Sequence, residues 1–349
     1  AQSLNAVSLR GLGSANTLVL LNGRRMAGSP AADAGQTQNL SFIPMAAVER
    51  IEILRDGASA IYGTDAIAGV INVILREDYS GMSLAVDIGR PTQTGGDEDA
   101  YSIVGGISGA RGNITFAFDN QQRDMIFDAD RSFTATGLSI AGFPGSYFAF
   151  LATDDPRNPS GTQVPLGIFP DPRCPAELNT DPDFPNSVTT FFGPPGGQGA
   201  CRYNFSSVAA TEADNDTKSF FVNANYEITE RTSFFAQGLF SYNESFGQYA
   251  PSPIFGVQWS KDDPNNPTNP ANPTNALGDP FQGQSFGFDF DGDGTDDFSV
   301  EGPFDLSVFY RNAPGGTRDG YFEDHLLDYI AGVEGTWDFF DGMDWQIAG

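Results

Sequence analysis

The sequence predicts an α+β segment over residues 1–77 followed by antiparallel β-strands over residues 78–349. Three observations predict it: the stretch from Val48 to Arg76, a period-two alternation that begins after Arg76, and an orderly succession of short and long connections between the alternating runs.

The stretch from Val48 to Arg76 reads as strand, short helix, strand. Ile51, Ile53 and Leu54 are strand formers, Ala58 to Ile61 can make one helical turn, and Val70 to Leu75 is a continuous buried strand. Gly57, Gly63 and Gly69 suit backbone geometry more than chemistry. Upstream, Leu18 to Leu21 is an apolar strand, Asn22-Gly23 a hairpin turn signal, and Arg24-Arg25 the start of the return. Residues 27–38 are small and polar and read as a loop, after which Pro44 to Ala47 can open a helical turn.

After Arg76 the pattern changes. Met82, Leu84, Val86 and Ile88 alternate with Ser83, Ala85, Asp87 and Gly89, and two similar runs follow, around Tyr101 to Ser108 and Ile114 to Asp119. Val104 breaks the alternation. The pattern resumes at Phe220 to Ile228 and Phe234 to Asn243, then at Leu327 to Trp337, with a seventh run from Met343 to Ala348. Each run is a strand with one apolar face, which a soluble sandwich or a membrane barrel explains equally well.

The motifs of the first segment carry a resemblance. Val7-Ser8-Leu9-Arg10-Gly11-Leu12-Gly13, Thr17 to Arg25 and Val48 to Arg76, in this order and spacing, resemble the plug domain of TonB-dependent outer-membrane receptors, over residues 5–77. The implied fold is an α+β plug domain followed by antiparallel transmembrane β-barrel strands. About seven are present, where a barrel with a plugged lumen has about 22. No charged n-region precedes an apolar stretch, so the resemblance implies that the chain starts inside the plug and holds the first part of the wall. Residues 1–349 alone are then expected not to transport, because an open sheet edge leaves backbone groups that lipid cannot satisfy.

Connection lengths favour the barrel over the sandwich. They run 91–99, 112, 124–216, 229–230, 247–320 and 338–342, so the longer ones fall at every second place. Bacterial barrels alternate short periplasmic turns with long extracellular loops. Residues 124–216 and 247–320 are therefore expected outside the cell.

Composition narrows the partners. The net charge of −27, from 45 acidic against 18 basic residues, argues against nucleic acid, whose binding comes from cations neutralising phosphates. No stretch reaches the roughly 18–20 apolar residues of a membrane helix, which does not bear on barrel strands. High Gly and Phe counts, 41 and 30, suit β-architecture.

The resemblance also implies function and sites. The family imports scarce nutrients such as ferric siderophores, cobalamin, saccharides or peptides, energised by TonB with ExbB and ExbD through a short N-terminal box. The barrel meets outer-membrane lipid and lipopolysaccharide. No cofactor is required. Arg10 and Arg55 stand where the family has plug arginines thought to pair with barrel glutamates, or they are plain surface cations. Glu49, Arg50 and Glu52 could complete an ionic patch against the lumen wall, and Arg24, Arg25, Gln36 and Gln38 are candidates for a plug loop facing substrate. A non-transporting adhesin displaying calcium-stabilised acidic loops would explain the loops and strands but not the plug motifs.

Within the long connections, Cys174 and Cys201 lie in Pro- and Gly-rich sequence without nearby His, which disfavours zinc. On an outer surface they are expected to form a disulfide, stabilising the loop by about 3 kcal/mol in the chain-entropy model. Asp289, Asp291, Asp293 and Asp297 with Gly294 resemble the start of a calcium loop, but Val300 takes the place of the closing acid. A calcium site and a solvated acidic turn both fit. Ser285 within Gly283-Gln284-Ser285-Phe286-Gly287 formally matches a nucleophile elbow, with His325 downstream. Its context lacks the required strand and helix, so no enzyme is expected.

Overall fold

The computed structural model describes residues 4–29, 37–55, 59–158, 160–191, 199–264, 266–270, 285–288, 298–337 and 342–349. The chain forms two compact units, one of residues 1–126, 211–247 and 320–349, the other of residues 127–210 and 248–319. Among the described residues no helix is long and apolar enough to cross a membrane.

In the first unit a four-stranded sheet has the order β2-β1-β4-β3, where β1 is Thr17–Leu21, β2 Arg24–Arg25, β3 Val48–Leu54 and β4 Gly69–Leu75. β1 and β4 are parallel, which demands the long excursion of residues 22–68 between them. Every residue of β1 is buried. Leu18 and Leu20 pack with Ala66, Val70 and Tyr62 of α1 (Ser59–Tyr62), whereas Val19 and Leu21 join Phe42, Ile71 and Val73 on the other face. Cover on both faces is why this strand is an unbroken apolar run. Asn22 and Gly23, at φ of 49° and 77°, close β1 onto β2, as an Asn-Gly pair favours.

All seven expected strands follow in one sheet in chain order: β5 Gly81–Gly89, β6 Glu98–Gly109, β7 Gly112–Arg123, β8 Asp214–Thr229, β9 Thr232–Tyr249, β10 Arg318–Trp337 and β11 Met343–Ala348. Their register aligns two apolar rows. Leu84, Ile103, Phe118, Phe220 and Phe240 are successive partners on one face, and Leu84, Phe118, Phe220 and Phe240 are exposed. One residue along, Val104, Ala117, Phe221 and Leu239 are successive partners on the opposite, otherwise polar face, and all are buried. Val104 thus breaks the alternation because it packs on the N-terminal domain. Phe221, Leu239 and Leu326 do the same.

The second unit is built from the two long connections. Its larger sheet orders the strands Val164–Pro170, Ser146–Leu151, Asp305–Arg311 and Pro253–Trp259 around a small core of Tyr147, Leu151, Leu166, Phe169, Phe304 and Leu306. Two Asp-Pro-Arg turns staple it. Asp155 accepts from the backbone N–H and Nε of Arg157, both at 2.9 Å, and Asp171 accepts from the same groups of Arg173 at 2.9 and 3.0 Å. Both carboxylates are withdrawn from solvent. Arg157 beside Asp155 holds that carboxyl well below the usual range, and Lys261 Nζ adds a contact at 2.8 Å. Burial, and then the Asp171 carboxylate 3.0 Å away, push the Tyr147 hydroxyl well above its ordinary value. Cys174 and Cys201 form the expected disulfide, which ties the second turn to the strand Gly199–Asn204.

Candidate functional site

The site is where the N-terminal domain meets the inner face of the sheet. Its centre is the segment from Asn39 to Ala47. The Asn39 side chain caps the 3-10 turn Leu40–Phe42 by accepting from the Ser41 N–H at 3.1 Å. The turn delivers the Phe42 ring to the row of Val104, Ala117, Phe221 and Leu239. A buried carbonyl needs a donor, and the Phe42 carbonyl receives the hydroxyls of Ser219, at 3.4 Å, and Ser241. Pro44 then ends the extended segment, and the turn Met45–Ala47 offers the Ala46 N–H to Asp119 Oδ2 at 3.1 Å.

Further contacts surround this centre. Asn22 donates to Gln237 Oε1 at 2.6 Å, Asn223 to the Glu77 carbonyl at 3.2 Å, and the Tyr79 N–H to Thr115 Oγ1 at 3.1 Å. Among the described residues no ion pair joins the N-terminal domain to the sheet. The seat is apolar packing framed by hydrogen bonds of mostly neutral groups. Such a contact can be parted without leaving two naked charges behind.

Beside the Asn39–Ala47 segment a cavity of about 460 Å³ opens against β5 to β8. Asp87, Glu98, Ser102, Asp119, Thr217 and Ser219 line it, and among the described residues no Lys or Arg does. Asp119 Oδ1 is withdrawn from solvent and accepts nothing from the protein.

The residues expected from sequence are distributed unevenly. Arg10, itself at φ 55°, donates to the Arg55 carbonyl at 2.7 Å, so these two are brought together through backbone. Arg50 bridges Glu49 at 2.7 Å and Glu52 at 2.9 Å along the exposed β3, and Glu52, then Glu49, raise its pKa. These three pair with one another. Arg24 reaches Gln346 Oε1 on β11 at 2.9 Å. Arg25 pairs with Asp65 at 2.5 Å and lowers that carboxyl, while Gln38 is half-buried in its loop. Gln36 and Asp289, Asp291, Asp293 and Asp297 lie outside the described residues. The strands flanking those aspartates, Ser285–Phe288 and Phe298–Glu301, pair antiparallel. Among the described residues no His, Cys, Asp and Glu cluster could hold a metal ion. His325 sits on exposed β10, 3.1 Å from Glu323 and with its ring centroid 4.9 Å from that of Tyr242.

Phe42, Asp119, Ser219 and Ser241 are site residues that motif reading does not reach. The signal that points to them is the set of apolar residues on the polar side of the strands. Each marks a place where something packs against the wall.

A compact α+β domain seated on one face of an antiparallel sheet whose other face is apolar and exposed is the arrangement of a plug against the wall of a membrane β-barrel. Residues 1–70 match the TonB-dependent Receptor Plug Domain, so the N-terminal domain is similar to the plug of that family. A similar curated protein is the iron-regulated outer membrane virulence protein of Vibrio cholerae serotype O1, 36% identical over 112 residues. That match spans 30% of this chain and 17% of the relative's own length. Solved structures with a similar trace include the ferric enterobactin receptor of Pseudomonas aeruginosa, at TM-score 0.44 and 13% identity over 97% of this chain and 41% of that one. The ferric-catecholate import receptor of E. coli K12 is similar at TM-score 0.38 and 13% identity, over 99% and 40% respectively.

Proposed function

We propose that this chain supplies the plug and the first staves of a receptor that imports a scarce nutrient across the outer membrane, energised by TonB with ExbB and ExbD. Residues 1–77 are the plug. Residues 78–349 carry barrel strands against lipid and lipopolysaccharide, with 124–216 and 247–320 outside the cell. The observation that carries this reading is the core shared by plug and wall, in which Met26, Phe42 and Leu75 pack with Phe221 and Leu239. A plug held by apolar packing and mostly neutral hydrogen bonds is one that a pull from the periplasm can displace.

Ferric siderophore, cobalamin, saccharide and peptide are the substrate classes to be separated. The iron-regulated relative brings the first of these into consideration. Calcium in the acidic loop would be an accessory and not a cofactor. The adhesin reading gives the plug no task. In the full-length protein, deletion of the coupling box is expected to abolish uptake and leave substrate binding intact; uptake that survives the deletion overturns the reading.

A further inference from the structure

We infer that the plug is fastened to the wall along one line and parts from it along another. The row Gly106, Thr115, Asn223 and Gln237 is the fixed end, and the passage for a nutrient opens on the side of that row where Phe42 sits. The inference rests on the receptor reading above and names the residues that position the plug.

The register of the wall sets out the row. Gly106 pairs with Thr115, Thr115 with Asn223, and Asn223 with Gln237, so the four are successive partners across β6, β7, β8 and β9. The segment that leaves the plug for β5 lies along them. The Thr115 hydroxyl accepts from the Tyr79 N–H at 3.1 Å and donates to the Glu77 carbonyl at 3.4 Å, and Asn223 donates to the same carbonyl at 3.2 Å. At Gly106 the fit is closest: a Cβ there would stand 2.1 Å from the Tyr79 carbonyl oxygen, so only glycine lets the segment down onto β6. The row ends at Gln237, which accepts from Asn22 at 2.6 Å. Asn22 in turn accepts from the Leu75 N–H at 2.8 Å. One carboxamide thus ties the ends of β1 and β4, the parallel pair at the middle of the plug sheet, to the wall.

Connectivity makes this line the fixed one. Tyr79 stands two residues before Gly81, the start of β5, so the chain itself holds it at the wall and a broken contact re-forms at little cost in loop closure. The Ala46 N–H also finds a wall acceptor, Asp119 at 3.1 Å, but Ala46 is joined to β5 only through β3, α1 and β4. Once parted, it is free to move off.

Solvation points the same way. Thr115 and Asn223 are buried and serve backbone N–H and C=O groups, so lifting the segment strands donors and acceptors on both partners. The next row, Val104, Ala117, Phe221 and Leu239, has no polar side chain to strand. Beyond it, Ser102, Asp119 and Ser219 border the 460 Å³ cavity, where water can take over the bonds that the plug gives up. A displaced plug therefore keeps β1 and β4 hung on the Thr115 row while the segment around Phe42 leaves, and the cavity deepens into the passage.

The test is residue-resolved amide exchange of the full-length protein in lipid vesicles. Ala46 and Tyr79 are the two reporters, since each donates its N–H to a wall side chain. Relative to intrinsic rates, Tyr79 is expected to exchange at least about tenfold more slowly than Ala46. Thr115→Val should speed Tyr79 about tenfold and move Ala46 by less than about threefold, with Thr115→Ser restoring the parent rate. Gly106→Ala should act on Tyr79 as Thr115→Val does, whereas Gly109→Ala, whose Cβ would meet nothing nearer than 3.7 Å, should not. Tyr79 exchanging as fast as Ala46 in the parent overturns the inference, as does a Thr115→Val variant that speeds both amides equally. Exchange needs neither ligand nor energised partner, so it is separate from the box deletion: uptake that survives the deletion removes the transport reading and leaves the fixed row standing.

Discussion

The plug-and-wall unit and the long-connection unit solve the same problem by opposite means. The first has apolar rows on both faces of one sheet, and its interior polar contacts are mostly neutral. The second has a core of few large side chains and is fastened by two carboxylate–guanidinium turns and a disulfide. A wall with lipid on one side and a plug on the other has apolar surface to spare. A segment folded from two excursions has little, and needs cross-links to replace burial.

The comparison breaks hardest at Phe221. Its side chain is fully buried in the core shared by plug and wall, so Phe221→Ala removes both the transfer gain and the packing around it, about 3–5 kcal/mol. Phe220, one residue away, is exposed on the opposite face, and Phe220→Ala in lipid is expected to cost under about 1 kcal/mol, since tails replace the ring's contacts. Guanidinium unfolding of the full-length protein in lipid vesicles reads both. Equal costs for the two would mean that the faces are not distinct environments.

The next effect belongs to the second unit. Asp155→Asn keeps the size of the side chain but removes the charge shared by Arg157 and Lys261. The cost is expected at about 2–3 kcal/mol, below that of a fully buried pair because Arg157 remains partly in solvent. The native carboxyl is held below its ordinary value, so its contribution is complete above the unfolded value near ~4 and is lost as pH falls through the folded one. Acid should therefore loosen the second unit of the parent protein below about pH 4. The Asn variant should be weaker at neutral pH and flatter in acid, as followed by limited proteolysis of residues 127–210. A variant as acid-sensitive as the parent would assign the acid response to other carboxylates.

Much of the first unit is legible in the sequence because its rules are local. Alternation fixes the facing of every wall strand, and Asn22-Gly23 fixes a turn. The partners of the plug are not local. Phe42 and Phe221 are separated by the first long connection, and only the misfit of an apolar residue on a polar face announces that something covers it. Arg24 shows the same limit: its hydrogen-bond partner Gln346 lies far along the chain, where no local rule points. In the second unit no period exists to read. Asp155-Pro156-Arg157 and Asp171-Pro172-Arg173 look like ordinary polar turns until burial turns them into clasps. The cysteines were legible because their chemistry needs no periodicity.

The finest contrast lies in the hydroxyls of Ser219 and Ser241. They are 2.8 Å apart on neighbouring strands, and both serve the Phe42 carbonyl. Neither holds the wall together, because the backbone ladder of β8 and β9 pairs Ser219 with Ser241 regardless of side chain. Removing both hydroxyls leaves the carbonyl buried without a donor, and each is worth about 1 kcal/mol, felt by the plug alone. The double variant Ser219→Ala with Ser241→Ala should therefore unfold at nearly the parent denaturant concentration for the wall, while amide exchange across residues 39–47 speeds up roughly tenfold or more. Equal loss of protection in β8 and the plug segment would mean that plug and wall open as one body. A plug that a pull can release requires instead that the loss stay on the plug's side of those two hydroxyls.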